Sequence, residues 1–270
     1  MRASMPHPLG LITLLTDFGD RDYFVASMKG VILTINPDVR IVDISHQISP
    51  HQIAEAGYVL KSCYRHFPDG TIHMVVVDPG VGSSRRPLII STSRYYFLAP
   101  DNGLLSDVVR EESNVEIRQI ENQRYRLEAK GATFDGRDLF APAAAWLSKG
   151  APVSSFGRVI DDPVNLSIAK PTWQNHVLVG QIVYVDRFGN LISNITTTHL
   201  EQTRSVTQCP IPTICIGRQI IQGLLASYSD GMPDSPQALV NSNGSVEIFM
   251  KEGSAANRLG LGSGERITIS

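Results

Sequence analysis

After a polar N-terminal stretch the chain enters a run of apolar residues, Leu11 to Leu15 (LITLL), that stops abruptly at Thr16-Asp17-Phe18-Gly19. A short apolar run closed by turn residues predicts a buried strand. From Tyr23 to Ile35 the apolar positions recur at helical spacing, and Asn36-Pro37 ends them, because a residue before proline is pushed out of the helical region. The alternation then repeats. Arg40 to Ile44 (RIVDI) predicts a second strand, Gln52 to His66 a second helix, and Pro68-Asp69-Gly70 a turn. His73 to Val77 (HMVVV) is almost wholly apolar, as a strand covered on both faces is, and Leu88 to Ser91 and Tyr95 to Ala99 predict two more. Strand alternating with helix gives an α/β N-terminal domain with a mainly parallel central sheet, over residues 1–165.

The pattern changes beyond that point. Residues 152 to 175 hold three prolines and little periodicity, and residues 166–176 read as a linker. Short β-rich pieces follow at Leu178 to Val185, Asn190 to Ile195, Thr213 to Ile216, Ser245 to Met250 and Arg266 to Ile269, separated by turn residues and with no second helical series. They predict a smaller all-β, barrel-like C-terminal domain over residues 177–270.

Composition removes several classes of partner. Twenty-four Lys and Arg against 26 Asp and Glu leave a net charge of -2, with no basic excess to displace counterions from a phosphate backbone, so nucleic acid is not an expected partner. No apolar run approaches the roughly 18 residues of a membrane helix, and MRASMPHP lacks the apolar stretch of a signal peptide. Cys63, Cys209 and Cys215 lie far apart with no CxxC, which argues against a disulfide framework and for a cytoplasmic setting. The seven histidines form no HExxH and none stands near a cysteine pair, so no metal site is expected. GxSxG and GxGxxG are also missing.

Candidate chemistry gathers where apolar runs end. Asp17 follows LITLLT and Asp78 follows HMVVV, so parallel strands would aim both carboxylates at one sheet edge, where open α/β sheets bind ligands. Each also suits a turn or helix cap. In VVVDPGVGSSRR (75 to 86), Asp78-Pro79 imposes extended backbone, Gly80 and Gly82 permit close approach, and Arg85 or Arg86 can fold back onto a carboxylate. TFDGRDLFAP (133 to 142) puts Asp135, Arg137 and Asp138 around a glycine before an apolar helix, where Asp138 answers the helix dipole. DRFGN (186 to 190) and NSNG (241 to 244) read, taken alone, as tight hairpin turns.

Together, TDFGDRDYFVASMKG (16 to 30), VVVDPGVGSSRR, APDNGLL (99 to 105), TFDGRDLFAP, DRFGN and NSNGSVEI (241 to 248) resemble the S-adenosyl-L-methionine (SAM) hydroxide adenosyltransferases, relatives of the fluorinating and chlorinating SAM enzymes. The resemblance implies an α/β domain followed by a β-barrel domain, and a homotrimer with the active site between neighbouring subunits. It implies that SAM and water give adenosine and L-methionine, with SAM as substrate and no cofactor. It also implies roles. Asp78, Arg85 and Asp135 would be catalytic. Asp17 would take the ribose diol, Asp186 the methionine ammonium, Asn190 the adenine edge, Ser242 and Asn243 the methionine carboxylate, and Phe134 would form an apolar wall. Asp22, Gly136, Phe188, Glu247 and Met250 complete the implied substrate contacts.

One position departs from the pattern, since the family usually reads TFHGRD where this chain carries Asp135. Two carboxylates beside one water repel, so they would share a proton, with Arg85 offsetting part of the charge. Two other functions stand beside hydrolysis. One is a SAM- or adenosine-binding module without turnover, suggested by the missing histidine. The other is halogen transfer, which the same carboxylates oppose because they would repel a halide, and which the short Arg86 to Tyr95 stretch also disfavours.

Overall fold

The computed structural model describes residues 6–166, 170–207 and 211–270, without the side chains of 204–207. Cys209 and part of the expected linker, residues 167–169, lie outside the described residues. The chain divides into two compact units, Met1–Ser167 and Ile168–Ser270. Among the described residues no helix is long and apolar enough to cross a membrane.

In the first unit the elements run β1 (Leu11–Thr16), α1 (Phe24–Ile35), β2 (Arg40–Ser45), α2 (Ile53–Cys63), β3 (Ile72–Val76), β4 (Pro87–Ser91), β5 (Tyr96–Pro100), α3 (Ser106–Glu111), β6 (Glu116–Gln119) and α4 (Ala141–Ser148). The sheet order is β2-β1-β3-β5-β4-β6. β1 is parallel to β2 and β3, β3 is parallel to β5, and only β4 runs against its neighbours β5 and β6. Side chains alternate across the strands, so Ile12, Leu14, Ile72, Met74 and Val76 pack with Met28 and Ile32 of α1 and Ala144 and Leu147 of α4. Leu15, Val75 and Val77 face Ala56 and Leu60 of α2 and Val108 of α3 on the other side. Helices on both faces explain why β1 and β3 are apolar throughout. The edge strand β2, RIVDIS, mixes charged with β-branched residues and leaves Val42 exposed.

A histidine sits among the buried side chains of this unit. His73 on β3 places Nδ1 2.8 Å from Thr13 Oγ1 and is ringed by Tyr64, Phe67, Tyr95 and Phe97. Burial pushes its pKa down to about 3. The native ring therefore stays neutral while the unfolded chain takes up a proton below about pH 6.5. Stability present above pH 6.5 should thus be lost progressively as pH falls toward 3. Urea unfolding across that range should show the loss, and His73→Gln, which cannot titrate, should flatten the slope.

The second unit runs β7 (Thr172–Gln174), β8 (Val177–Val185), β9 (Leu191–Thr196), α5 (Thr197–Thr207), β10 (Thr213–Ile216), β11 (Gln219–Gln222), β12 (Gln237–Val240), β13 (Ser245–Phe249), α6 (Ala255–Leu259) and β14 (Arg266–Ile269). Its strands pair antiparallel in the order β11-β10-β14-β8-β9-β13-β12, with β7 on β8. Just beyond β11, the Leu225 N–H donates to Ala238 O on the opposite edge strand, which nearly closes the sheet into a barrel. Leu178, Ile182, Leu191, Ile195, Ile214, Ile216, Val246, Ile248, Ile267 and Ile269 fill its interior.

Two expectations are corrected here. Helices do occur beyond residue 165, and α5, TTHLEQTRSVT, carries too few apolar residues for periodicity to reveal it. The stretch read as a linker contains β7, whose three residues are all exposed and so carry no alternation.

Candidate active site

Strand register decides where the aspartates go. Parallel β1 and β3 pair Thr16 with Val76, so Asp17 and, two residues past the strand, Asp78 leave the sheet at the same edge. β5 is parallel to β3 and adds Asp101 to that edge. The three are used differently. Asp101 accepts from Arg86 Nε at 2.7 Å and from the Val164 N–H at 2.8 Å, so it anchors the chain leaving this unit. Asn102 donates to Val77 O at 2.8 Å and braces the strand end that carries Asp78.

The loop after Asp78 folds back as the glycines allow. Ser83 Oγ donates to Gly80 O at 2.7 Å and accepts from the Arg85 N–H at 3.2 Å. A side chain at Gly80 would stand 3.3 Å from Arg85 Cγ. Gly82 has φ +78°, and a Cβ there would come within 2.7 Å of Ala132 O, so only glycine lets the loop meet the 126–135 segment this closely. Arg85 then reaches Asp78, with Nε at 3.0 Å from Oδ1 and 2.8 Å from Oδ2, and its Nη2 also donates to Asp78 Oδ2. The same Nη2 donates to Asp135 Oδ2 at 2.5 Å. All three side chains are largely buried, at 5% exposed for Asp78, 11% for Arg85 and 12% for Asp135. Burial pulls the Arg85 pKa down, but the hydrogen bonds and charges of the two aspartates outweigh it and leave it raised. A guanidinium donates and does not accept, so both carboxylates present acceptor oxygens to it.

Asp135 opens a π-helical turn, Gly136–Phe140, that leads into α4. Such turns are frequent at functional sites because they re-aim side chains. Phe134 is nearly buried and packs edge-on against Phe18 and Phe24, at 5.8 and 5.1 Å between ring centres. Phe18 follows Asp17 and Phe134 precedes Asp135, so ring packing sets the two carboxylate loops side by side. A Cβ at Gly136 would lie 3.2 Å from Met28 Sδ and from both rings, which explains the glycine. Asp138 is paired with its neighbour Arg137, at 2.6 and 2.9 Å. Asp17 Oδ2 accepts the backbone N–H of His51 at 2.9 Å, and His51 sits at φ +68°. Asp22 is exposed in the loop before α1.

In the second unit, Asp186 organises the turn between β8 and β9. Its Oδ1 accepts the N–H groups of Phe188 and Asn190, and its Oδ2 accepts Asn190 Nδ2, each at 2.9 Å. Asn190 is buried and Phe188 is 75% exposed at the tip. Ser242 and Asn243 occupy the exposed turn between β12 and β13, where Asn241 Oδ1 accepts the Asn243 N–H at 3.0 Å. The structure does not bring these two turns together. β9 pairs Leu191 with Ile248 and Thr196 with Ser245, so they flank opposite ends of β9. Glu247 is buried, accepting Tyr228 Oη at 2.7 Å and Asn241 Nδ2 at 3.0 Å. Met250 packs on the barrel core beside it.

Sequence reasoning missed Asn102, His51 and Arg126, the last with Nη2 3.7 Å from Asp135 Oδ1. Asn102 lay within the quoted APDNGLL, whereas nothing around Arg126 signals a role.

Residues 12–157 match the model of the SAM hydroxide adenosyltransferase N-terminal domain, and residues 180–268 that of the C-terminal domain. An (R)-S-adenosyl-L-methionine hydrolase of Salinispora tropica is 30% identical over 267 residues, covering 97% of this chain and 98% of the relative. One from Methanocaldococcus jannaschii is 38% identical over 192 residues, 69% and 67% of the two chains. A fluorinase of Actinoplanes sp. is 27% identical over 289 residues, covering 96% and 97%. The crystal structure of an uncharacterized conserved protein from Thermotoga maritima superposes with a TM-score of 0.87 at 33% identity, covering 96% and 99%.

Proposed function

The chain belongs to the SAM hydroxide adenosyltransferase family, and from that premise we propose that it hydrolyses SAM to adenosine and L-methionine. The observation that carries the chemistry is Arg85 clamped between Asp78 and Asp135. Water attacks the ribose C5′ in line with the leaving sulfur, so an O–C5′ bond forms as the C5′–S bond breaks. The electron pair of the broken bond neutralises the sulfonium, and the thioether of methionine leaves without needing an acid. One proton of the water must be taken up, and Asp78 is the acceptor, with Asp135 turning the water toward C5′. Arg85 holds both carboxylates in place at no reorganisation cost during the reaction.

The remaining contacts are part of the same proposal. Asp17 keeps Oδ1 for the ribose diol while the His51 N–H fixes Oδ2. Both lone pairs of Asp186 Oδ1 are used within its turn, and Oδ2 keeps one for the methionine ammonium. Asn190 keeps its Oδ1 and one N–H for the adenine edge, with Phe188 alongside. Ser242 and Asn243 are assigned to the carboxylate by the resemblance, but ammonium and carboxylate share one carbon, so Asp186 and Ser242 of one chain, at opposite ends of β9, cannot both hold the same methionine. Phe134 and Gly136 form the apolar wall beneath Asp135, and Asp22, Glu247 and Met250 are outlying contacts. A cytoplasmic homotrimer that needs no cofactor completes the reading.

Incubating the purified protein with SAM, and following nucleosides by chromatography, should show adenosine and methionine in equal amounts. Added chloride or fluoride should give no halogenated nucleoside. SAM binding without adenosine above the buffer control would sink the hydrolase reading in favour of a binding module.

A further inference from the structure

Counting charge at the clamp leaves a remainder. Asp78 and Asp135 supply two negative charges, and Arg85 between them supplies one positive charge. A second anion this buried requires a counter-charge or a proton. Arg137 is not that counter-charge, because its guanidinium is engaged with Asp138.

Arg126 fills the place, and the backbone shows how it gets there. Pro142, at the start of α4, has no N–H to offer Asp138 O, the carbonyl four residues before it. The Leu127 N–H donates to that carbonyl instead, at 2.8 Å. This bond ties residue 127 to the π-helical turn that begins at Gly136, while Gly82 admits Ala132 against the Asp78 loop. Arg126, next to the tied residue, brings Nη2 to 3.7 Å from Asp135 Oδ1, the oxygen that Arg85 does not hold. Its side chain is 34% exposed, so the cation keeps part of its water while it faces the buried carboxylate.

We propose that Arg126 is a positioning residue for the reaction: with Arg85 it grips Asp135 from both oxygens and completes a cluster of two carboxylates and two guanidiniums. This rests on the hydrolase reading given above. The carboxylate at position 135 is held at a fixed angle to the water and is kept as an acceptor. Substrate does not touch Arg126.

The test measures SAM hydrolysis by the full chain carrying Arg126→Ala, Arg126→Gln or Arg126→Lys, beside the native protein, with thermal unfolding as the folding control. Removing the charge should lower kcat about twofold to fivefold, the range of a partly exposed ion pair, with KM unchanged. Arg126→Lys should restore most of the rate. Arg126→Gln keeps much of the apolar stem and decides the matter should Arg126→Ala fold poorly. An unchanged kcat, a change in KM alone, or a loss that lysine does not restore would overturn the proposal. Failure of the native chain to release adenosine would overturn the hydrolase reading first and this one with it, so the two failures are distinguishable.

Discussion

Asp78→Ala should release no measurable adenosine from SAM while SAM binding survives. The expected loss is roughly 10² to 10⁴ in turnover, the contribution of a positioned general base. Binding should persist because the proposed ligand contacts lie elsewhere, on Asp17 and on the turn that carries Asp186 and Asn190. The fold should persist too, since Arg85 keeps its hydrogen bond to Asp135 when Asp78 is shortened. Chromatographic detection of adenosine measures the first effect and isothermal titration with SAM the second. An unaffected rate would remove Asp78 from the mechanism, and binding lost together with turnover would mean that Asp78 holds substrate rather than water.

How much of this was readable in advance follows from which forces write themselves into sequence. Burial on both faces makes β1 and β3 apolar throughout, so Asp17 and Asp78 stood out as polar groups where apolar runs end. Their convergence depends on parallel pairing, and the alternation with helices predicted that. Strand direction within a uniform run is not written in this way, and β4, running against both β5 and β6, looks no different in sequence from the mutually parallel strands β3 and β5. Register is equally silent. DRFGN and NSNG are both legible as turns, yet only the pairing of β9 with β13 separates them by the length of a strand. Arg126 is the extreme case. It reaches Asp135 because a proline sixteen residues later leaves a carbonyl to be satisfied, and no local pattern around it encodes that. Motifs record residues that must have one identity, whereas tertiary hydrogen bonds through the backbone leave almost no trace.

Arg85→Leu should cost more stability than any other single change at the site, and should remove activity as well. It leaves Asp78 and Asp135, both largely buried, facing each other with Arg126 near only the second. Breaking a buried ion pair by deleting one partner costs about 3 to 5 kcal/mol, because the surviving charge has lost both water and counter-ion. The sign of the pH dependence separates this from simple loss of packing. At neutral pH both carboxylates are charged in the unfolded chain, and the folded variant must either keep them charged in apposition or bind a proton. As pH falls toward about 4 the unfolded chain takes up those protons as well, and the penalty fades. The stability gap between the variant and the native protein should therefore narrow with acid, even though the native protein itself weakens there through His73. Urea unfolding of both proteins at pH 7 and pH 4.5 measures the gap. A gap of equal size at the two pH values would mean that Arg85 contributes packing, and that the two carboxylates do not depend on its charge.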